Sequence, residues 1–118
     1  MASHQQENRI DYIEFATTDI PATKAFYGKV FGLKFQDWGP DYISFNDGHL
    51  DGGFTRHATV SGHHPLIVFY TSNLKAKEQA VREAGGKIVK EIFDFPGGKR
   101  FHFSDPAGNV LAVWSEKA

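Results

Sequence analysis

Glu14 is the residue of this chain best placed to do chemistry. It lies between Ile13 and Phe15 in a stretch rich in β-branched and aromatic side chains, Ile10-Asp11-Tyr12-Ile13-Glu14-Phe15-Ala16-Thr17. A carboxyl in such a strand is costly to bury unless it is paired or used. Two readings are open. Beside Arg100 or His102 it could orient a polar ligand or serve as a general base; otherwise it is a structural ion pair or a solvent-facing group at the mouth of a sheet. Arg100 and His102 lie two apart in another strand-like stretch, so they share a face opposite Phe101 and Phe103. Glu14 and His102 are thus the candidate acid–base pair. Tyr12, Tyr70 and Trp114 are candidates for stacking on a planar or apolar ligand, with aromatic filling of the core as the alternative. Gly52-Gly53-Phe54-Thr55-Arg56 adds Phe54 and Arg56 as candidate ligand contacts, if the glycines bring backbone close to a cleft rather than serve a bulge or bend.

Other chemistries fall away. The chain has no cysteine, which excludes thiolate catalysis, disulfides and cysteine-ligated metal. Of its six histidines, His4 lies in a polar arm, His49 in a Gly/Asp-rich turn, and His63-His64 in the turn-like Ser61-Gly62-His63-His64-Pro65. These four read as surface residues, and adjacent residues of a strand would point to opposite faces. Phe95-Pro96-Gly97-Gly98-Lys99 reads as a flexible loop over a pocket mouth. It lacks the strand–loop–helix context and the Gly-Lys-Ser/Thr ending of a phosphate cradle, so nucleotide binding is discarded.

The elements that must position these residues come twice. The 118 residues are expected to form a single domain, with a flexible arm over 1–8 and modules over about 10–57 and 66–115. In the first, the strand Ile10–Thr17 leads through Asp19, a helix cap, into a helix ending at Phe31 and stopped by Gly32. Lys34–Asp37, Tyr42–Asn46 and Gly52–His57 follow as strands. The second runs Leu66–Thr71, the cap Asn73, a helix to Ala84 stopped by Gly85-Gly86, then strands Lys87–Phe93, Arg100–Phe103 and Val110–Ser115. A shift of 54 positions sets Phe15 on Phe69, Thr17 on Thr71, Asp19 on Asn73 and Ile20 on Leu74. A net charge of −1 gives no electrostatic footprint for nucleic acid. No apolar run approaches the ~18 residues of a membrane span, and the polar start lacks a signal-peptide core. A cytoplasmic protein is expected.

Asp19-Ile20 followed by Ala25-Phe26-Tyr27-Gly28-Lys29-Val30-Phe31-Gly32 resembles the first helix of the vicinal oxygen chelate superfamily, which includes glyoxalase I, extradiol dioxygenases, fosfomycin-resistance transferases and bleomycin-resistance proteins. Phe103-Ser104-Asp105-Pro106-Ala107-Gly108-Asn109-Val110 is similar to its turn into the last strand. The resemblance covers Ile10 to Trp114. It implies an α+β fold of two βαβββ modules forming a half-open barrel with helices outside, a pocket within, and a homodimer. The positions at which family enzymes hold a metal fall here on Tyr12, Gly52 (or Gly53, one residue on), Leu66 and Ala112, which offer at most one phenolate. No cofactor and no metal are therefore expected; a divalent ion relocated to Glu14 and histidines is the alternative. If these positions mark the concave face, Tyr12, Glu14, Ala16, Leu66, Val68, Tyr70, Val110, Ala112 and Trp114 point into it, and Ile13, Phe15 and Thr17 point to the helix. The expected function is metal-independent binding of a small aromatic or polar-aromatic molecule. The alternatives are a glyoxalase-type lyase or isomerase using Glu14 and His102, and a structural dimer whose pocket is filled by its own side chains. The expected partners are a small-molecule ligand and a second copy, with neither nucleic acid nor membrane.

Overall fold

The computed structural model describes residues 6–57 and 64–116, so His4 and His63 lie outside the described residues. The described residues divide into two compact units, one of 12–57 with 64–65 and one of 66–116 with 6–11. The first is built from β1 (Ile10–Ala16), α1 (Ile20–Phe31), β2 (Phe35–Asp37), β3 (Tyr42–Asn46) and β4 (Asp51–Thr55). The second follows the same order with β5 (Leu66–Tyr70), α2 (Leu74–Glu83), β6 (Lys87–Phe95), β7 (Gly98–Ser104) and β8 (Val110–Ser115). Strand order is β2-β3-β4-β1 in one and β5-β8-β7-β6 in the other, with β1–β4 and β5–β8 parallel and the remaining pairs antiparallel. Both are the expected βαβββ modules.

One helix start is used twice. The Asp19 side chain accepts from the Ala22 N–H at 2.9 Å, and the Asn73 side chain accepts from the Ala76 N–H at 3.1 Å. The Thr17 hydroxyl receives the Asp19 N–H at 3.0 Å, as Thr71 receives that of Asn73 at 3.2 Å. Pro21 sits in the first turn of α1, where its missing donor removes nothing. Gly32, at φ +69°, closes α1 in the left-handed conformation. α2 is shorter and ends at Glu83, and its left-handed residue is Gly85.

Each helix covers one face of its own sheet. Under α1, Ile20, Ile43 and Phe54 are buried with Phe15, Tyr27, Phe35 and Phe45 against them. Phe15 stacks on Phe54 with centroids 4.8 Å apart. Under α2, Leu74, Phe101 and Val113 are buried with Phe69, Val81, Ile88 and Phe103 around them.

β6 is longer than expected and carries two register irregularities, between Ile88 and Lys90 and between Lys90 and Phe93. An extra residue at each resets the alternation. Ile88 therefore pairs with Phe103 on the helix side, while Lys90 pairs with His102 and Phe93 with Arg100 on the other. The stretch read as a flexible loop at Phe95–Lys99 is a tight hairpin, with Phe95 paired to Gly98 around Pro96-Gly97. Gly98 has no room for a side chain, since a Cβ there would run into the Ser115 carbonyl.

Glu7 and Asn8, at the end of the stretch read as an arm, are tied to the second module. The Glu7 carboxylate accepts from the Thr71 hydroxyl at 2.7 Å, the Ser72 N–H at 2.7 Å and the Ser72 hydroxyl at 3.1 Å. These bonds, that of Thr71 first, pull its pKa down from 4.5 to about 2. Asn8 and Arg9 exchange backbone bonds with Tyr70.

Two predictions follow from this geometry. Gly98→Ala should lower stability by about 3 kcal/mol or more in urea unfolding, because backbone rather than a flexible side chain must move. Because Glu7 titrates lower in the folded chain than in the unfolded one, its contribution is full above pH ~4.5 and fades as pH falls towards 2. The melting-temperature gap between wild type and Glu7→Gln should be largest at pH 6 and shrink below pH 4.5; a gap independent of pH would refute the role.

Candidate functional site

Alternation along β1 leaves Tyr12, Glu14 and Ala16 on the sheet face away from α1, as expected, since Phe15 packs under the helix and the Thr17 hydroxyl bonds that of Thr23 on α1 at 2.7 Å. Across β4 they meet Asp51, Gly53 and Thr55. Glu14 is 8% exposed, and the His64 imidazole donates to its carboxylate at 3.2 Å. His64 is thus no surface histidine: its side chain is 14% exposed and joined in a part-buried pair. Turn composition could locate this residue in the chain but could not tell which way its ring points. His49 and His57 are exposed.

Two expected positions on β4 are corrected by its register. Phe54, proposed as a ligand contact, is 3% exposed in the core under α1. Gly52 also faces that core, where a Cβ would stand 2.5 Å from the Phe45 ring. Gly53 is the residue opposite Glu14 on the far face. Its missing side chain makes room for two phenols, because a Cβ there would run into the hydroxyls of Tyr42 and Tyr12, which hydrogen-bond each other. Arg56 lies past the end of β4 and pairs with Asp41 at 3.5 Å, with both side chains well exposed.

In the second module the strand register sets Arg100 opposite Trp114 and His102 opposite Ala112 on β8, and Val68 and Tyr70 opposite Ala112 and Trp114 from β5. Tyr70, Arg100, His102 and Trp114 therefore share the face away from α2, again as expected. Trp114 and Tyr70 are buried, 5% and 8% exposed, and form its floor with rings 5.5 Å apart. The Trp114 indole N–H donates to Asp11 at 2.9 Å. The Tyr70 hydroxyl donates to Glu116, which with burial pushes its pKa up to about 12 and keeps the phenol protonated.

Phe93 and Phe95, which sequence reasoning did not place here, complete this face. The Arg100 guanidinium lies over both rings, 5.5 and 5.4 Å from their centroids. Lys90 sits 4.1 Å over Phe93, and His102 meets the same ring edge-on at 5.5 Å. Phe95 in turn meets Trp114 at 6.1 Å. Two cations, held by cation–π attraction, and an edge-on imidazole thus converge on one phenyl ring. The signal for this was the Pro-Gly pair, which marks a hairpin and so places Phe93 across from Arg100 and Phe95 across from Gly98. The β6 bulges hid the register.

The metal positions of the resembled superfamily do not fit an ion here. Leu66 and Ala112 are fully buried and have no donor atom, and the place of a β4 ligand is taken by the Tyr12 and Tyr42 hydroxyls. Among the described residues, no three His, Cys, Asp or Glu side chains come together as a metal site requires. Glu14 and His64 alone make two.

Comparison with known proteins agrees with the architecture. The family model for the Glyoxalase/Bleomycin resistance protein/Dioxygenase superfamily matches residues 9–113. The anthracycline biosynthesis protein DnrV of Streptomyces peucetius is 27% identical over 87% of this chain and 45% of its own length, so the chain spans less than half of that relative. Among solved structures, the methylmalonyl-CoA epimerase of Mycobacterium tuberculosis superposes with a TM-score of 0.70 at 11% identity, covering 98% of this chain and 92% of that one. The Mn(II)-bound glyoxalase of Novosphingobium aromaticivorans gives 0.67 at 24% identity, covering 96% and 40%. At such identities the likeness is one of fold.

The burial of the Glu14–His64 pair has a measurable consequence. His64→Ala should cost about 1–3 kcal/mol in urea unfolding, because the carboxylate loses a hydrogen bond away from water. His57→Ala, which removes an exposed partner of Asp41, should cost under about 1 kcal/mol. Equal costs would show that the buried pair contributes nothing special.

Proposed function

Because the chain belongs to the Glyoxalase/Bleomycin resistance protein/Dioxygenase superfamily, we propose that it binds a small planar aromatic molecule carrying a polar or acidic group, without a metal ion. The observation that carries this reading is the convergence of Lys90, Arg100 and His102 on Phe93, with Phe95, Tyr70 and Trp114 beside them. Aromatic rings give a planar ligand a stacking surface, and a guanidinium stacked on them is a donor whose geometry suits a carboxylate or phenolate. The misfit of the four metal positions supports metal independence. DnrV adds support of its own, because it is named for anthracycline biosynthesis and an anthracycline carries fused planar rings.

Glu14 and His64 favour a second reading. A part-buried carboxylate beside an imidazole is suited to moving a proton from a carbon acid, as a glyoxalase-type lyase or isomerase would require. In that reading Glu14 is the base and His64 holds its carboxylate in position. The protein is further proposed to work as a homodimer. Phe26, Val30 and Phe31 of α1 are each more than half exposed, an apolar surface that a second copy would cover. Among the described residues no helix is long and apolar enough to cross a membrane.

Calorimetric titration with a planar aromatic acid such as hydroxynaphthoate, with and without EDTA, tests the proposal. Binding should survive the chelator and weaken about tenfold or more in Arg100→Gln, the effect of losing a charge-assisted hydrogen bond. Loss of binding in EDTA, or equal affinity in the variant, would overturn it. Turnover abolished in Glu14→Gln with binding retained would favour the second reading. Sedimentation as a 13.2 kDa species would refute the dimer.

A further inference from the structure

The two modules fill the space under their helices differently. In the first, Tyr27 of α1 lies against Phe54, with centroids 5.0 Å apart, and Phe54 stacks on Phe15. The shift of 54 positions that sets Phe15 on Phe69 sets Tyr27 on Val81. Strand register gives the other equivalence, since Phe54 is paired to Phe15 and Val113 to Phe69. Two large rings of the first core are therefore two valines in the second. Phe101 in place of Ile43 is an exchange in the opposite direction, but it does not line the space the valines leave.

That space is a half-open pocket of about 170 Å³ between α2 and its sheet, lined by Phe69, Tyr70, Val81, Phe103 and Val113. Its polar end is made by Asn8 and Lys77, which hydrogen-bond each other at 2.6 Å. Lys77 stands where the first module has Thr23, whose hydroxyl closes on Thr17. A methylene stem and a surface hydrogen bond thus border the cavity in place of a short closed contact. It lies on the face of the sheet opposite Arg100, His102 and Trp114.

We infer that this cavity is a second binding site, for a neutral apolar molecule the size of one aromatic ring, with any single acceptor group turned towards Lys77 and Asn8. An apolar cavity of about 150 Å³ is large enough to hold benzene. Apart from Tyr70, whose hydroxyl is bonded to Glu116, the walls are phenylalanine and valine, so apolar contact supplies the affinity. Glu7 places a carboxylate 3.5 Å from the Lys77 ammonium, which disfavours an anionic ligand at this end and separates the site from the cationic face. The inference does not rest on the proposed function, because of the groups invoked only Tyr70 borders both sites.

Toluene is the probe. At about ten times its dissociation constant it should raise the melting temperature of the wild type by several degrees, about 5 °C for a chain of this size. Val81→Tyr, which restores the first module's residue, should fill the cavity and abolish that shift. Amide chemical-shift mapping on the wild type keeps the idea falsifiable if that variant does not fold. Perturbations centred on Phe69, Val81, Phe103 and Val113 would support the site. No thermal shift, a shift retained in folded Val81→Tyr, or perturbations centred on Arg100, His102 and Trp114 would overturn it.

Discussion

The stacking of Phe15 on Phe54 beneath α1 is the contact on which the first module depends. It commits one face of β1 and β4 to the helix, and alternation then leaves no choice for their neighbours. Glu14 must lie on the other face, opposite a glycine, and Tyr12 beside it. A slip of one residue would place the carboxylate among phenylalanines, where no partner is available to offset its desolvation. Phe69 performs the same service for β5 and β8 under α2, and so fixes Tyr70 and Trp114 on the far face. The chemistry-bearing residues are in this sense what is left over when the helices have taken their share of each strand.

Duplication sharpens the contrast between the two modules. Both retain the threonine two residues before the cap, the capping side chain and the apolar first helical residue, which together set how each helix leaves its strand. Away from that start they diverge. The first module closes its far face with a pair of phenols and the Glu14–His64 hydrogen bond; the second lines it with rings and cations. Divergence is free there because helix entry and strand register do not depend on it.

Much of this was legible in the residues. The cap pairs, the glycine stops and the alternation of β1, β5, β7 and β8 follow from local rules, and they placed Tyr12, Glu14, Tyr70, Arg100, His102 and Trp114 on the faces they occupy. What could not be read depends on long-range register or on rotamers. Phe54 moved to the core because β4 pairs it with Phe15 and sets Gly53 opposite Glu14 on the far face. Phe93 and Phe95 were missed because bulges interrupt the period of two. The partnership of Glu14 with His64 joins residues fifty positions apart through a side-chain orientation that no spacing encodes.

The hold of Glu7 on Thr71 and Ser72 carries a kinetic meaning. It joins residues 64 and 65 positions apart, so the second module borrows an anchor from ahead of the first. Closing so long a loop is entropically slow compared with forming the β6–β7 hairpin, whose strands meet across two residues. The hairpin and α2 are local structures that can gather early, whereas the Glu7 carboxylate must close a loop of 64 residues to reach the start of α2.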